Sequence, residues 1–222
     1  MDDIERPMTA GKGKAPDTKA VRALLDLHAC PVPFHVVRTR FLGNIATPMF
    51  TASPLRVVEG LWGGELPEFA SMAEAETLVG VLVQGLWNDL ARHQKRSQPF
   101  RLTRLPTDAT APNLRHYGKV RMEEFDGFVD GLFAGEVEIP LPARAHGAVG
   151  SLGEIRAMMA GIVDLVDHGP MAGEDTELAT TFRGLRDLTL IMEGEIHEAV
   201  LSCTRARRQM LQGILTIKPT VH

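Results

Sequence analysis

The amino-acid sequence predicts an all-α fold, a helical bundle made of two similar helix–loop–helix halves and a long C-terminal helix. Two S-x-x-E capping boxes, at Ser71 and at Ser151, accompany apolar runs with helical spacing. A further pattern is a seam of apolar residues, many of them seven apart, between Leu178 and Met210. Together these patterns favour helices over strands through most of the chain.

Length, charge and cysteine content limit the function classes. The 222 residues, of which 44% are hydrophobic, are enough for one sizeable core. The net charge of -4 argues against a dedicated nucleic-acid-binding domain, which is usually strongly basic. Cys30 and Cys203 are too few for a disulfide framework, and no segment is apolar enough for a signal sequence or a membrane span. A cytoplasmic protein without membrane contact is therefore expected.

Composition divides the sequence into five parts, because the helical patterns are interrupted by proline-containing or aperiodic stretches. The expected parts are a mobile N-terminal tail at residues 1–16, a first helical half at 17–93, a basic proline-containing connection at 94–120, a second helical half at 121–170, and a long C-terminal helix with its tail at 171–222.

The first half is predicted to contain four helices, each with a start or stop signal. Their expected bounds are Asp17 to about His28, Phe34 to Ala46, Ser53 to Trp62 with Pro54 at the first helical position, and Ser71 to about His93.

The most apolar run of the chain lies in the fourth of these helices, from Leu78 to Trp87. Only Gln84 is plainly polar in it, so we expect this helix to be buried almost all round at the centre of the core. Trp62 and Trp87 are expected to anchor that core. The alternation of valines in this run is also compatible with a strand, but the capping box and the length favour a helix.

The second half begins after an extended or edge-strand segment, FRLTRL, at Phe100–Leu105. Helices are predicted from Met122 to Phe133 and again from the capping box at Ser151. A single helix is then expected from Asp175 to about Leu215, in which Gly184 and Gly194 are candidate break points.

Charge is distributed unevenly. Residues 57–91 contain acidic side chains and no Lys or Arg, whereas residues 91–121 are basic apart from Asp108. A second basic run lies near the end of the C-terminal helix. The predicted partner-binding residues are Arg92, Lys95, Arg96, Arg101, Arg104, Arg205, Arg207 and Arg208.

The basic stretch has two further interpretations. With Phe100 and Tyr117 among its residues, it could follow the phosphates of a nucleic acid. Alternatively, it docks on the chain's own acidic segments, residues 57–91 and 122–143, or stays solvated.

Recognised catalytic motifs are missing from the sequence. The best metal candidate is Glu193 with His197 four residues on and Glu198 beside it, a spacing that helical bundles use to hold metals. Because no second pair of this kind occurs, no catalytic residue, cofactor or metal ligand is predicted. A metal-dependent bundle enzyme remains an alternative.

The apolar seam of the C-terminal helix predicts self-association. A helix of this length would extend beyond a compact body, and an apolar stripe in water is unfavourable. Leu185, Met192 and Ile196 are therefore predicted to pair with a second copy in a homodimer.

Three segments resemble the YecA/YgfB-like family of bacterial proteins across roughly residues 34–168. They are FLGNIATP at Phe41–Pro48, LWGGELPEFASMAEAETLVGVLVQGLWNDL at Leu61–Leu90, and EEFDGFVDGLFAGE at Glu123–Glu136. The resemblance implies an all-α fold and a largely unassigned, non-catalytic role in binding another protein. Many members end in a Cys-rich zinc motif, which this sequence does not contain.

These observations predict a non-enzymatic helical adaptor that acts through protein–protein contacts. The first alternative is a nucleic-acid-associated factor that uses residues 92–121, and the second is the metal-dependent enzyme.

Overall fold

A computed structural model describes residues 17–50, 52–168 and 175–216. Within these residues the chain forms helices and no strand, which confirms the all-α bundle. The predicted N-terminal tail at residues 1–16 and the end of the C-terminal tail lie outside the described residues. None of the helices in the described part is both long enough and apolar enough to cross a membrane.

The first three helices have the predicted bounds and caps. Helix α1 is Thr18–Leu27, α2 is Phe34–Ala46 and α3 is Pro54–Glu59, which a 3-10 turn extends through Gly60–Trp62. The side chains of Asp17 and Ser53 cap α1 and α3 by accepting backbone hydrogen bonds. Gly63 and Gly64 follow with φ of 87° and 112°, conformations that favour glycine and end the helix.

The fourth helical run begins at the predicted capping box. Ser71 Oγ accepts from Glu74 N at 3.3 Å, while the Glu74 carboxylate accepts from Ala70 N at 2.7 Å. Helix α4 is Met72–Val79, a π-helical segment follows at Gly80–Trp87, and α5 at Asn88–Leu90 leads into a 3-10 turn at Ala91–Gln94. The run is thus helical throughout, and the strand alternative is wrong.

This run does not lie at the centre of the core. Its buried face is a row of leucines four apart, and the other faces are partly exposed, so burial on all sides was the wrong expectation. In an ideal α-helix such a row drifts by about 40° per step, and the wider π-helical turns reduce that drift. Trp62 and Trp87 pack against the core but remain partly exposed. The row consists of Leu78, Leu82, Leu86 and Leu90.

The centre of the bundle is the crossing of α2 with α6, which is Ala111–Phe133. A β-carbon on Gly43 would lie 2.1 Å from the carbonyl oxygen of Phe128, and one on Gly131 would lie 1.9 Å from that of Arg40. The two backbones therefore touch where glycine removes the side chain. Phe41, Phe128 and Leu132 are fully buried around this contact.

Helix α6 begins at Ala111 rather than at the predicted Met122. Thr110 Oγ1 accepts from Asn113 N at 3.4 Å as the N-cap, and Pro112 lies in the first turn, where its missing N–H has no partner to lose. Treating Pro112 as a helix breaker was the error. The predicted boundary at residue 120 between connection and second half therefore falls inside a helix.

Helix α7 is Ala143–His168, so the capping box predicted at Ser151 is wrong. Ser151 lies inside the helix, which starts directly after Pro142. Because this box was one of the features shared by the two halves, the two-halves arrangement stays a prediction.

Helix α8 is Asp175–Thr216 and continues through Gly184 and Gly194 without a break. It packs mainly on α7, with further contacts to α2, α6 and the turn at Ala91–Gln94. The apolar seam from Leu178 to Cys203 is buried in these contacts, whereas Met210 is exposed.

An arginine groove as the candidate functional site

The segment at residues 99–110 crosses the bundle without regular secondary structure. Two buried glutamates accept its backbone hydrogens: Glu193 Oε1 lies 2.9 Å from Leu102 N, and Glu124 Oε1 lies 2.8 Å from Thr103 N. The extended conformation expected for Phe100–Leu105 is therefore held by side chains, with no partner strand in the described part of the chain.

Two arginines satisfy the carbonyl groups of the same segment. Arg38 Nη2 donates to the carbonyl of Arg101 at 3.0 Å, and Arg121 Nη2 donates to that of Thr103 at 2.7 Å. Arg121 is also ion-paired with Glu124, and both side chains are almost completely buried. Breaking a buried pair of this kind is costly, so the pair stabilises the observed position of the segment.

The arginine groove is the concave surface beside this segment, with a cavity volume of about 480 Å³. Val21, Leu86, Leu90 and Leu102 form its apolar floor, and all four are buried. The groove's arginines come from α1, from α2, from the turn after α5 and from the extended segment. They are Arg22, Arg38, Arg92, Arg101 and Arg104.

Electrostatics in the groove favour an anion. Burial lowers the pKa of the Arg38 guanidinium, and the positive charges of Arg22 and Arg92 lower it further, while Glu124 opposes them. His93 also lines the groove, and burial lowers the pKa of its imidazole. A carboxylate or phosphate in the groove would relieve the repulsion among these cations. Guanidinium groups also match the planar geometry of a carboxylate and can bind it through two hydrogen bonds.

The predicted partner-binding residues are only partly brought together. Arg92, Arg101 and Arg104 line the groove, whereas Lys95 and Arg96 are exposed on the neighbouring turn. The remaining basic residues, Arg205, Arg207 and Arg208, lie on α8 outside the groove. Arg207 is occupied within the chain, since its Nη1 donates to the carbonyl of Thr47 at 3.0 Å.

Sequence reasoning missed two residues of the groove, Arg22 and Arg38. Each lies in a helix far from the basic stretch, and no local pattern connects it with residues 92–121. Only the packing of α1 and α2 against the segment brings them there. Their guanidinium groups lie over aromatic rings: Arg22 over Phe34 at 4.7 Å and Arg38 over Phe100 at 4.9 Å from the ring centroids.

The chain's own acids neutralise part of the groove. Arg92 pairs with Asp89 at 2.8 Å, and Arg101 pairs with Glu193. The expectation that the basic stretch docks on residues 57–91 and 122–143 is thus correct for two pairs, Arg92 with Asp89 and Arg121 with Glu124. The third acid, Glu193, lies in neither segment. Arg22 and Arg104 form no ion pair with any described residue.

The aromatic residues of the basic stretch are not available for stacking on bases. Phe100 is 0% exposed and Tyr117 is 5% exposed. Tyr117 donates or accepts a hydrogen bond with Thr189 at 2.9 Å and packs under the Arg121 guanidinium.

The metal candidate does not assemble. Both carboxylate oxygens of Glu193 are occupied, by Leu102 N and by Arg101, and Glu198 lies 3.5 Å from Arg144. His197 has both ring nitrogens buried without a hydrogen-bond partner in the described structure. Across residues 17–50, 52–168 and 175–216, no group of three or more His, Cys, Asp or Glu side chains could hold a metal ion.

The residues predicted to pair with a second copy are buried within a single chain. Leu185, Met192 and Ile196 are each 0% exposed, because α8 packs this face on the rest of the bundle. The assignment of these three residues to a dimer interface is therefore wrong. Leu190 and Ile191 are the neighbouring apolar residues that remain exposed.

Comparison with protein-family models, with curated proteins and with solved structures finds no match for this chain.

Proposed function

We propose that this protein is a non-enzymatic helical adaptor that binds an acidic segment of another protein in the arginine groove. The observation that carries the proposal is the convergence of arginines from four separate stretches of the chain on one concave, apolar-floored surface. The proposed role agrees with the resemblance to the YecA/YgfB-like family, whose members are suspected of accessory or protein-binding roles.

Preorganisation supports this function. Arg38 and Arg101 are held by hydrogen bonds, and Arg22 rests on Phe34, so these side chains lose little freedom when an anion binds. An acidic peptide suits this surface because its carboxylates can form charge-assisted, bidentate hydrogen bonds with the guanidinium groups.

A nucleic-acid-associated factor is the alternative. Lys95 and Arg96 favour it, since both are exposed beside the groove and extend its positive surface. The burial of Phe100 and Tyr117 weighs against it, because single-stranded binding relies on exposed aromatic rings.

Exposed arginines allow a direct test. The double variant Arg22→Glu/Arg104→Glu reverses two groove charges that have no ion-pair partner in the described part of the chain. Arg183→Glu/Arg186→Glu makes the same charge change at exposed positions on α8 and is the matched control. Each form is tagged, used for affinity capture from extract of the source cell, and checked for folding by circular dichroism.

The expected result is one stoichiometric protein partner, captured by the wild type and the control and lost with the groove variant. Binding of a synthetic peptide from an acidic segment of that partner should show the same ranking. Capture that disappears after nuclease treatment, together with oligonucleotide affinity that falls steeply with salt, would support the alternative instead. Equal capture by all three forms would overturn the groove as the site.

A further inference from the structure

His93 is a titratable group in the wall of the arginine groove. The residue is 7% exposed and meets the Phe100 ring edge-on, with ring centroids 5.3 Å apart. Its Nδ1 lies 2.8 Å from the carbonyl oxygen of Gln98. Because a carbonyl oxygen only accepts, Nδ1 carries the proton of the neutral ring and Nε2 carries the lone pair.

The Nε2 atom of His93 has no hydrogen-bond partner among the described residues. It also differs from the two ring nitrogens of His197, which are fully enclosed without a partner. A proton can therefore reach it from solvent, and a proton needs far less access than a ligand does. Protonation turns this nitrogen into a donor and gives the ring a positive charge. The charge of the groove thus depends on the state of one imidazole.

The groove without a ligand disfavours the protonated ring. Burial lowers the pKa of the His93 imidazole, and the positive charges of Arg92 and Arg38 lower it further. The hydrogen bond to Gln98 and the charge of Asp89 oppose this shift. Because an ordinary histidine already titrates just below neutral pH, the lowered pKa leaves His93 neutral at pH 7.

The other charged groups around His93 leave this wall basic. On α8, which packs on the turn that carries His93, Glu193 is already paired with Arg101. Arg22 and Arg104 have no ion-pair partner among the described residues. An acidic ligand would therefore supply the counter-charge for a protonated His93 as well as for these arginines.

We infer that the arginine groove takes up a proton on His93 when it binds an acidic segment, so that binding strengthens as the pH falls. The inference rests on the proposed function, because it assumes that the ligand in the groove is an anion. Direct contact with Nε2 is not required, since opposite charges in a partly buried site attract each other across several bond lengths.

The direction of the pH dependence follows from linkage. A bound anion raises the pKa of His93, so the affinity increases as the pH falls through this raised pKa. The increase ends below the lower pKa of the ligand-free groove, where both forms are protonated. By reciprocity, the factor by which the proton tightens binding equals the factor by which the ligand tightens the proton.

The test uses a rhodamine-labelled hexa-aspartate peptide, whose carboxylates stay largely ionised above about pH 5.5. Fluorescence anisotropy gives its Kd for the full chain between about pH 5.5 and about pH 8, at low ionic strength. His93→Asn keeps a donor for the carbonyl of Gln98 but cannot titrate. His146→Asn, at an exposed position on α7, is the matched control. Circular dichroism shows whether each variant is folded across this pH range.

NMR of the histidine ring protons follows the same proton without a substitution. The contact with the Phe100 ring identifies the His93 resonance in the wild type. Its pKa is measured with and without the peptide, so this result stands even if His93→Asn does not fold.

We expect the Kd of the wild type and of His146→Asn to fall about threefold to tenfold from the highest to the lowest pH, since tenfold corresponds to a pKa rise of about one unit. His93→Asn should lose most of this dependence. An equal dependence in folded His93→Asn, or a His93 pKa that the peptide leaves unchanged, would overturn the inference and leave the proposed function intact. Binding that is absent at every pH, or unchanged in Arg22→Glu/Arg104→Glu, would overturn the proposed function and the inference with it.

Discussion

Individual glycines determine how closely the two central helices approach. At Gly131 the backbone of α6 lies directly against the carbonyl of Arg40 on α2. At Gly43 the backbone of α2 lies against the carbonyl of Phe128 on α6. Neither residue has a positive φ, so the requirement is for space rather than for conformation. The glycines of α7 face open space and carry no such requirement.

This difference predicts opposite effects for two glycine-to-alanine substitutions, each of which adds one methyl group. Gly131→Ala should lower the free energy of unfolding by about 3 kcal/mol, because the new β-carbon meets rigid backbone. Gly161→Ala should raise it by about 0.5 to 1 kcal/mol, because alanine is the better helix former and nothing lies within 4 Å of the added atom. Urea denaturation followed by circular dichroism measures both. A Gly131→Ala protein as stable as Gly161→Ala would contradict the close crossing.

Only part of the groove could be predicted from single residues. Arg92, Arg101 and Arg104 were identifiable because a local excess of basic residues is visible in the sequence. Arg22 and Arg38 were not, since their contribution depends on which faces of α1 and α2 meet the extended segment. Glu193 was noticed for its spacing from His197, but its role in holding Leu102 required the tertiary structure.

Helix ends show how far cap patterns can be used. The patterns at Asp17, Ser53 and Ser71 all correspond to real helix starts. The pattern at Ser151 does not, because α7 begins directly after Pro142 and Ser151 lies inside this helix. Similarly, Pro112 interrupts no helix when it lies in the first turn. A local pattern predicts a cap only where the preceding residues are not already helical.

The two S-x-x-E boxes form a matched pair of mutants. Ser71→Ala should cost about 1 kcal/mol of stability, since the hydroxyl accepts from Glu74 N. Ser151→Ala should be neutral or slightly stabilising, because serine is a poorer residue than alanine inside a helix. Thermal denaturation of the two variants checks this order. Equal losses would mean that Ser151 does cap a helix.

For the whole molecule, the sequence identified the fold class, the length of α8 and the apolar seam, but not what covers the seam. Its residues were assigned to a second copy because the seam from Leu178 to Met210 was expected to be longer than the diameter of the remaining body. In the structure α7 provides most of that cover. The expectation considered only the diameter of the body, whereas α7, at Ala143–His168, is itself long enough to lie along much of α8.

Substitutions at two adjacent residues of α8 can distinguish an effect on folding from an effect on self-association. Met192→Glu should abolish cooperative folding, because it places an unpaired charge at a position with 0% exposure. Ile191→Glu should change stability by no more than about 0.5 kcal/mol, since Ile191 is 50% exposed. Circular dichroism reports folding and light scattering reports mass. A folded Met192→Glu protein that only changes from dimer to monomer would restore the original interface assignment.

The hydrogen bonds that hold residues 99–110 also determine the stage of protein synthesis at which the groove can form. Leu102 leaves the ribosome long before its acceptor, because Glu193 belongs to α8 and lies 91 residues further along the chain. Until α8 has been made, Leu102 N and Arg101 have no Glu193 to bind, so the groove cannot take its final shape. Since chains fold from the N-terminus as they are synthesised, Arg101 can take its final position only at the last stage, after Glu193 has been made. A nascent chain would therefore carry the charges of the groove without its geometry, and recognition would begin with the release of the finished bundle.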